Sequence, residues 1–328
     1  MRSPSKIKYL LSAIAACFAL IVTPVALADP SEQGAVASNG KAIKNPVFDA
    51  SGEAIEKVIT VTRGKSQKGV PNIDASRIVG STSNGIFYHN GRILNDPSGL
   101  KVNIIWYGTW TQAETSTIQN LITGLNGSQY YNINTTYYDS LKKPIPNLVT
   151  LGAQITDSYS QGKSNLSDQQ IWNVVSQAAQ RNTAIYDSKA INLVLTSKDV
   201  TKTGFLTSYC GWHNFNYTNT NVPIQYAFIG NPGTNSACVF QQISPNGDAG
   251  IDAMASVIAH EIVETVTDPQ LNAWYDSRGY ENGDKCAWNF GTTTTLNGYQ
   301  YNLIFNSKKY LIQQNWVNSG GGSCRLSY

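Results

Sequence analysis

No Cys-x-x-Cys pair occurs in this sequence, which argues against a cysteine zinc knuckle. After the first 25 or so residues, no apolar run approaches the roughly 18 residues that a membrane span needs. There is no internal repeat and no heptad run. Charge is sparse, with Asp, Glu, Lys and Arg at 14 %, which suits an extracellular protein. Histidine is scarcer still: the 328 residues hold three, His89, His213 and His260. A metal site in this chain would have to lean on carboxylates.

What is present first is a leader. Arg2, Lys6 and Lys8 precede an apolar run over residues 9–25, and Ala26-Leu-Ala28 is a small-x-small cleavage site. That pattern predicts a secretory signal peptide over residues 1–28. Without it the net charge falls from +3 to zero, because three of the 24 basic residues leave and none of the 21 acidic ones do. The chain thus gives no reason to expect nucleic acid or an acidic membrane surface as partner. Cys17 also leaves, and Cys210, Cys238, Cys286 and Cys324 remain. Four cysteines in an oxidising compartment allow three pairings. The nearest-neighbour choice is Cys210–Cys238 with Cys286–Cys324. Sequons at Asn126, Asn134, Asn165 and Asn216 would matter in a host that glycosylates them.

Residues 29–82 are small, polar and poor in large apolar side chains, so they bury too little to offset ordering entropy. They are expected to form a flexible lead or propeptide, in which only "AIEKVITVT" has strand character. From residue 83 to 328 the pattern is that of one α/β domain of mixed α+β type. Strands are expected at residues 102–110, in "NLVTLGAQITDSY", at 190–197 and at 223–230. Helices are expected at 111–125 and 167–180.

The chemistry concentrates in "GDAGIDAMASVIAHEIVETVTDP". Asp248 can cap this helix and Pro269 stops it. Met254, Ile258, Ile262 and Val266 form one stripe, expected to be the buried one. Ser256, His260, Glu264 and Asp268 form another, nearly opposite, at about 100° per residue. His260 and Glu264 stand four residues apart, so both can reach one ion from adjacent turns. Glu261, one residue on from His260, misses the ion and can serve as general base to its water. Zinc accepts carboxylate oxygen, so Glu264 is admissible where an HExxH helix has histidine. Calcium or manganese becomes admissible too. Downstream, "WYDSRGYENGDKCAW" clusters Asp276, Glu281 and Asp284 beside Cys286. Upstream, His213 follows Cys210 by three residues, so a disulfide would hold it in place.

Four blocks carry a family resemblance. They are "YHNGRIL" with "VNIIWYGTW", then "YCGWH", then "ASVIAHEIVETVTDPQLNAWYD", then "ENGDKCAW". In order and spacing the chain resembles the EXORDIUM / phosphate-induced protein family, secreted proteins best known from plant cell walls. The resemblance implies an extracellular location and, in plants, a role in growth and cell expansion, but no settled reaction. It nominates His213, His260, Glu261, Glu264, Glu281 and Asp284. The assignment carried forward is one divalent ion, expected to be zinc, on His260, Glu264 and Asp284, with Glu281 in reserve. Glu261 is the expected base, and His213 a further ligand or an oxyanion donor. His89 is expected to bond backbone. Trp106, Trp110, Trp274 and Trp288 are expected in the core or a pocket wall.

The fold expectation is a single zincin-like, metallopeptidase-type domain around a central active-site helix, stabilised by disulfides. The matching function is a secreted zinc metallopeptidase-like hydrolase acting on a peptide or cell-wall substrate. The competing functions are a non-enzymatic wall or signalling protein, with a structural metal or none, and a carbohydrate-binding module.

Overall fold

The computed structural model describes residues 85–217, 222–234 and 237–328, and the backbone of 58–61. The signal segment and the rest of the lead lie outside the described residues. Everything described belongs to one compact unit, Gln33–Tyr328.

A six-stranded sheet organises the domain. Its strands are β1 (Val58–Val61), β3 (Leu100–Tyr107), β4 (Val149–Asp157), β5 (Ala190–Thr196), β6 (Tyr209–Tyr217) and β7 (Pro223–Gly230). Their spatial order is β1-β6-β7-β5-β3-β4. Strands β4, β3, β5 and β7 run parallel, while β6 is antiparallel to β7 and β1 antiparallel to β6. Parallel neighbours need crossovers, and helices supply two of them: α1 (Gln112–Leu125) and α2 (Asp168–Arg181). Both begin with a capping box, Thr111 with Glu114 and Ser167 with Gln170. Strand β5 is buried along its whole length, as its apolar run predicts for a strand covered on both faces.

Helix α2 packs on one face of the sheet, around Ile171, Val174 and Val175. On the other face lie α1 and α3 (Ala249–Thr267), sharing a core of Ile118, Leu121, Ile258 and Ile262. All four tryptophans named above join that core, Trp110 as a partly buried member. A short ladder of β2 (Phe87–Tyr88) and β8 (Trp274–Tyr275) joins the first sequence block to the third. There His89 stacks on Tyr275 with ring centroids 3.6 Å apart, and its Nδ1 lies 3.3 Å from the Ala273 carbonyl.

Three small hairpins follow in the C-terminal region, and Phe305, Tyr310, Trp316 and Val317 from two of them join the α1/α3 core. Tyr310 donates to the Thr117 carbonyl of α1 at 2.8 Å, and Tyr137 donates to the Trp316 carbonyl at 2.7 Å. Disulfides join Cys210 to Cys238 and Cys286 to Cys324, as nearest-neighbour pairing predicts. Among the described residues no helix is long and apolar enough to cross a membrane. The sequons divide: Asn126 and Asn165 are exposed, but Asn134 is fully buried, where its Oδ1 accepts from Asn315, and Asn216 is buried at 9 % exposure.

Candidate metal centre

Helix α3 begins at its expected cap, where Asp248 accepts from the Ile251 amide at 3.0 Å, and it ends at Thr267. The apolar stripe is buried as expected, and the polar stripe is buried with it. All 19 residues of α3 are buried. The polar stripe is covered because later segments fold over it, each meeting one of its groups. Ser256 Oγ accepts from the Gln313 amide at 3.1 Å, and Asp268 Oδ1 accepts from the Asn272 and Ala273 amides at 2.6 and 2.7 Å. Between them, Glu264 Oε1 accepts the Asp284 amide at 2.8 Å.

That last bond seats the "ENGDKC" loop on the helix. The loop turns through a short 3-10 segment, Asp284–Cys286, tied to the C-terminal region by Cys286–Cys324. Gly283 makes the approach sterically feasible: a Cβ there would stand 2.8 Å from Glu264 Oε1 and 3.0 Å from His260 Nδ1. Asn282 holds the loop from beneath, donating to the Val263 carbonyl at 3.0 Å. On the sheet side, Gly211 lets β6 press on α3, because a Cβ there would meet Val257 at 2.6 Å and Glu261 Oε1 at 3.0 Å.

These supports bring all six nominated residues into one cluster. His260 Nε2 lies 3.0 Å from Glu264 Oε1 and 3.6 Å from Asp284 Oδ1. Donors around a tetrahedral zinc at about 2.0–2.2 Å stand roughly 3.3–3.6 Å apart, so this triad has the right span. His213, on β6, lies on the other side of Glu264. Its Nδ1 is 3.4 Å from Glu261 Oε2 and 3.6 Å from Glu264 Oε2, and its Nε2 is 3.6 Å from Glu281 Oε2. Glu281 therefore stands with His213 rather than in the His260 triad. Asp276 does other work: it accepts from the Arg278 and Tyr280 amides and from Lys285 Nζ at 3.1 Å, shaping the loop.

Two triads thus meet at Glu264, His213–Glu261–Glu264 and His260–Glu264–Asp284, and in each the candidate donor atoms lie within 4.8 Å of one another. They differ in how well their atoms are bonded. His213 Nδ1 is in hydrogen-bond contact with Glu261, while His213 Nε2 and both Glu281 oxygens are buried without a hydrogen-bond partner. Both nitrogens of His260, Glu264 Oε2 and Asp284 Oδ1 are buried without a hydrogen-bond partner. Such groups carry a large desolvation penalty, and a cation between them would offset it. More of the unpartnered atoms fall in the His260–Glu264–Asp284 set, and there each of the three residues contributes at least one, whereas Glu261 contributes none.

Charge points the same way. Five buried carboxylates (Glu261, Glu264, Asp268, Glu281 and Asp284) surround two histidines. Burial alone would lower the pKa of both histidines, but the acids outweigh it. Glu261 and Glu264 hold His213 up at about 10, and Glu264 and Asp284 raise His260 well above its ordinary value. Burial pushes Glu281 well up, helped by Glu264 and Asp268, and takes Asp284 to about 7. Burial also favours protonation of Glu264, yet the two histidines hold it down at about 2. A cluster that gathers protons to balance its acids is one whose protons a divalent cation can replace.

Comparison with known proteins follows the same residues. The family model for the phosphate-induced protein 1 conserved region matches residues 86–318. The EXORDIUM-like 3 protein of Arabidopsis thaliana is 31 % identical over 288 residues, covering 74 % of this chain and 84 % of that protein. EXORDIUM from the same plant is 32 % identical over 221 residues, covering 57 % and 67 %. PHOSPHATE-INDUCED 1 of Nicotiana tabacum is 29 % identical over 217 residues, covering 57 % and 66 %. No solved structure matches.

Proposed function

The chain belongs to the EXORDIUM / phosphate-induced protein family, and from that premise we propose that it is an exported, metal-dependent hydrolase of the peptidase type. The observation that carries this reading is the convergence of His260, Glu264 and Asp284, buried and with donor atoms left unbonded. A zincin-like reading of the fold is supported by a helix that supplies two donors four residues apart and a later loop that supplies the third. Export is supported by the leader pattern, the two disulfides and the family.

In this reading a divalent cation, expected to be zinc, supplies Lewis-acid polarisation of a carbonyl and acidification of a water. The protein's own groups do the rest. Glu261 takes the proton of the attacking water at Oε2 and returns it to the leaving amine. His213 Nδ1, 3.4 Å from that oxygen, orients the base. With its other nitrogen facing Glu281, His213 suits that role better than the oxyanion role the sequence suggests. The substrate class is a peptide or cell-wall polypeptide.

A second reading has its own observation. The side chains of His213, His260, Glu264, Glu281 and Asp284 are at most 5 % exposed. A cavity of about 460 Å³ does exist, lined by Tyr88, Arg92, Asp139 and Lys143 among others, but none of the cluster residues lines it. A closed site is the mark of a structural ion, which would suit a non-enzymatic extracellular growth protein. Glu261→Gln separates the two readings. As an enzyme, the variant keeps its metal and loses roughly 100-fold or more of peptide hydrolysis. Unchanged hydrolysis, or none in either protein, favours the structural ion.

A further inference from the structure

Strand β1 comes from the lead, before the family-matched segment begins at residue 86. Within the matched segment the sheet ends at β6, whose far edge would be open. An open strand edge presents a row of unpaired backbone groups and is a template for another extended chain. In this protein the lead supplies that chain. Val58 stands opposite His213, Ile59 opposite Trp212 and Val61 opposite Tyr209, with an irregularity between Ile59 and Val61. The segment "VITV" is the part of the lead with strand composition, and the residues on either side of it are polar.

The register is the telling part. The lead backbone passes His213, the residue whose side chain reaches Glu261, Glu264 and Glu281. An extended chain on this edge lies about 4.8 Å from the β6 backbone. It therefore runs alongside the metal centre. Gly211 lets β6 pack closely against α3, next to Val257 and Glu261.

We propose that the edge of β6 is a docking site for an extended polypeptide strand, and that the lead strand Val58–Val61 occupies it in cis as a resident blocker. Displacing or removing the lead opens the edge to a peptide in trans. Recognition then rests on backbone hydrogen bonds, as in strand addition generally. The inference builds on the metal-centre reading above for its functional meaning, since it names the substrate form and the device that withholds it.

The test uses the full chain and a labelled synthetic peptide copying residues 56–63, EKVITVTR, with a scrambled control. Ile59→Pro removes an amide hydrogen and fixes φ, which a paired strand tolerates poorly. Fluorescence anisotropy should show the peptide binding Ile59→Pro at least about tenfold tighter than wild type, because a tethered competitor acts at roughly millimolar effective concentration. The scrambled peptide should bind neither. Equal affinity for both proteins overturns the proposal. So does a lower Tm in Ile59→Pro without gained binding, which would make β1 a fixed part of the fold. A wild-type dimer that dissociates in Ile59→Pro would put the strand in trans, and that also overturns it.

Should Ile59→Pro not fold, hydrogen exchange on the wild type decides. Amides of residues 209–213 should exchange faster than those of β7 and slow on adding millimolar peptide; no change contradicts the proposal. Repeating the anisotropy on His260→Ala/Ile59→Pro separates this inference from the metal centre. Peptide binding that survives loss of the metal sustains the strand site even where the ion reading fails.

Discussion

Glu264 Oε1 accepts the Asp284 amide at 2.8 Å while lying 3.0 Å from His260 Nε2. One carboxylate oxygen thereby fixes the loop that carries Asp284 and faces His260. Glu264 is a keystone of both the fold and the site. Glu264→Gln keeps the acceptor for the loop amide but removes the charge. Its thermal transition in the presence of chelator should fall, because the carboxylate that balances His213 and His260 is gone, and metal affinity should fall by tenfold or more. Titration with zinc, followed by competition with a chromogenic chelator, reads both.

Gly283 gives a purely steric test. A Cβ at this position would meet Glu264 and His260 at 2.8–3.0 Å, and its φ of −70° is one any residue adopts. Gly283→Ala should therefore fold, at a cost of about 1–3 kcal/mol from overpacking. It should bind metal more weakly than wild type by at least tenfold. Wild-type affinity in this variant would place the loop differently from the structure.

The Cys286–Cys324 bond holds the same loop at its far end. Cys324→Ser should lower stability by about 2–4 kcal/mol and weaken metal binding along with it. Denaturant melts with and without saturating zinc measure the coupling. A stability loss that saturating metal leaves unchanged would uncouple the loop from the ion.

Asp268 predicts a pH dependence. Burial raises its pKa to about 6, while amides of Ala273 and Asn272 oppose the rise. Between pH of about 4 and 6 the folded protein thus holds a proton that the unfolded chain has released. Stability contributed this way is present below the unfolded pKa and is lost as pH rises through the folded one. The shift corresponds to on the order of 2–3 kcal/mol. Asp268→Asn retains an oxygen for the two amides and has no proton to lose. Urea melts from pH 4 to 7 should show a steeper fall for wild type than for Asp268→Asn, and parallel curves would refute the assignment.

Much of this was legible before the structure, and the reasons are particular. Helix α3 announces itself through Asp248, Pro269 and two i, i+4 stripes, and the strands around Ile105 and Leu193 through apolar runs. Both disulfides follow from nearest-neighbour pairing. What pattern could not give was the covering of the polar stripe, because Asp284 and Gln313 lie 20 and 57 residues along the chain from the groups they meet. Strand β6 escaped for a local reason: Gly211, Asn214 and Asn216 dilute its strand composition, and pairing with β7 overrides them. The partition of the acids was hidden too. Spacing places Asp276, Glu281 and Asp284 in one group, but the loop turns each toward a different partner. Gly211 and Gly283 carry no chemistry, so only the close approaches they permit reveal them. A glycine between two acids in "ENGDKC" was the available signal for the second.

The central claim is that His260, Glu264 and Asp284 hold one divalent ion. Elemental analysis of the purified full chain, beside His260→Ala, tests it most directly. The account predicts about one equivalent of a divalent metal per chain, zinc first, and its loss in the variant while the fold is retained by circular dichroism. A wild-type protein without stoichiometric metal, or a His260→Ala protein that keeps it, would contradict the account.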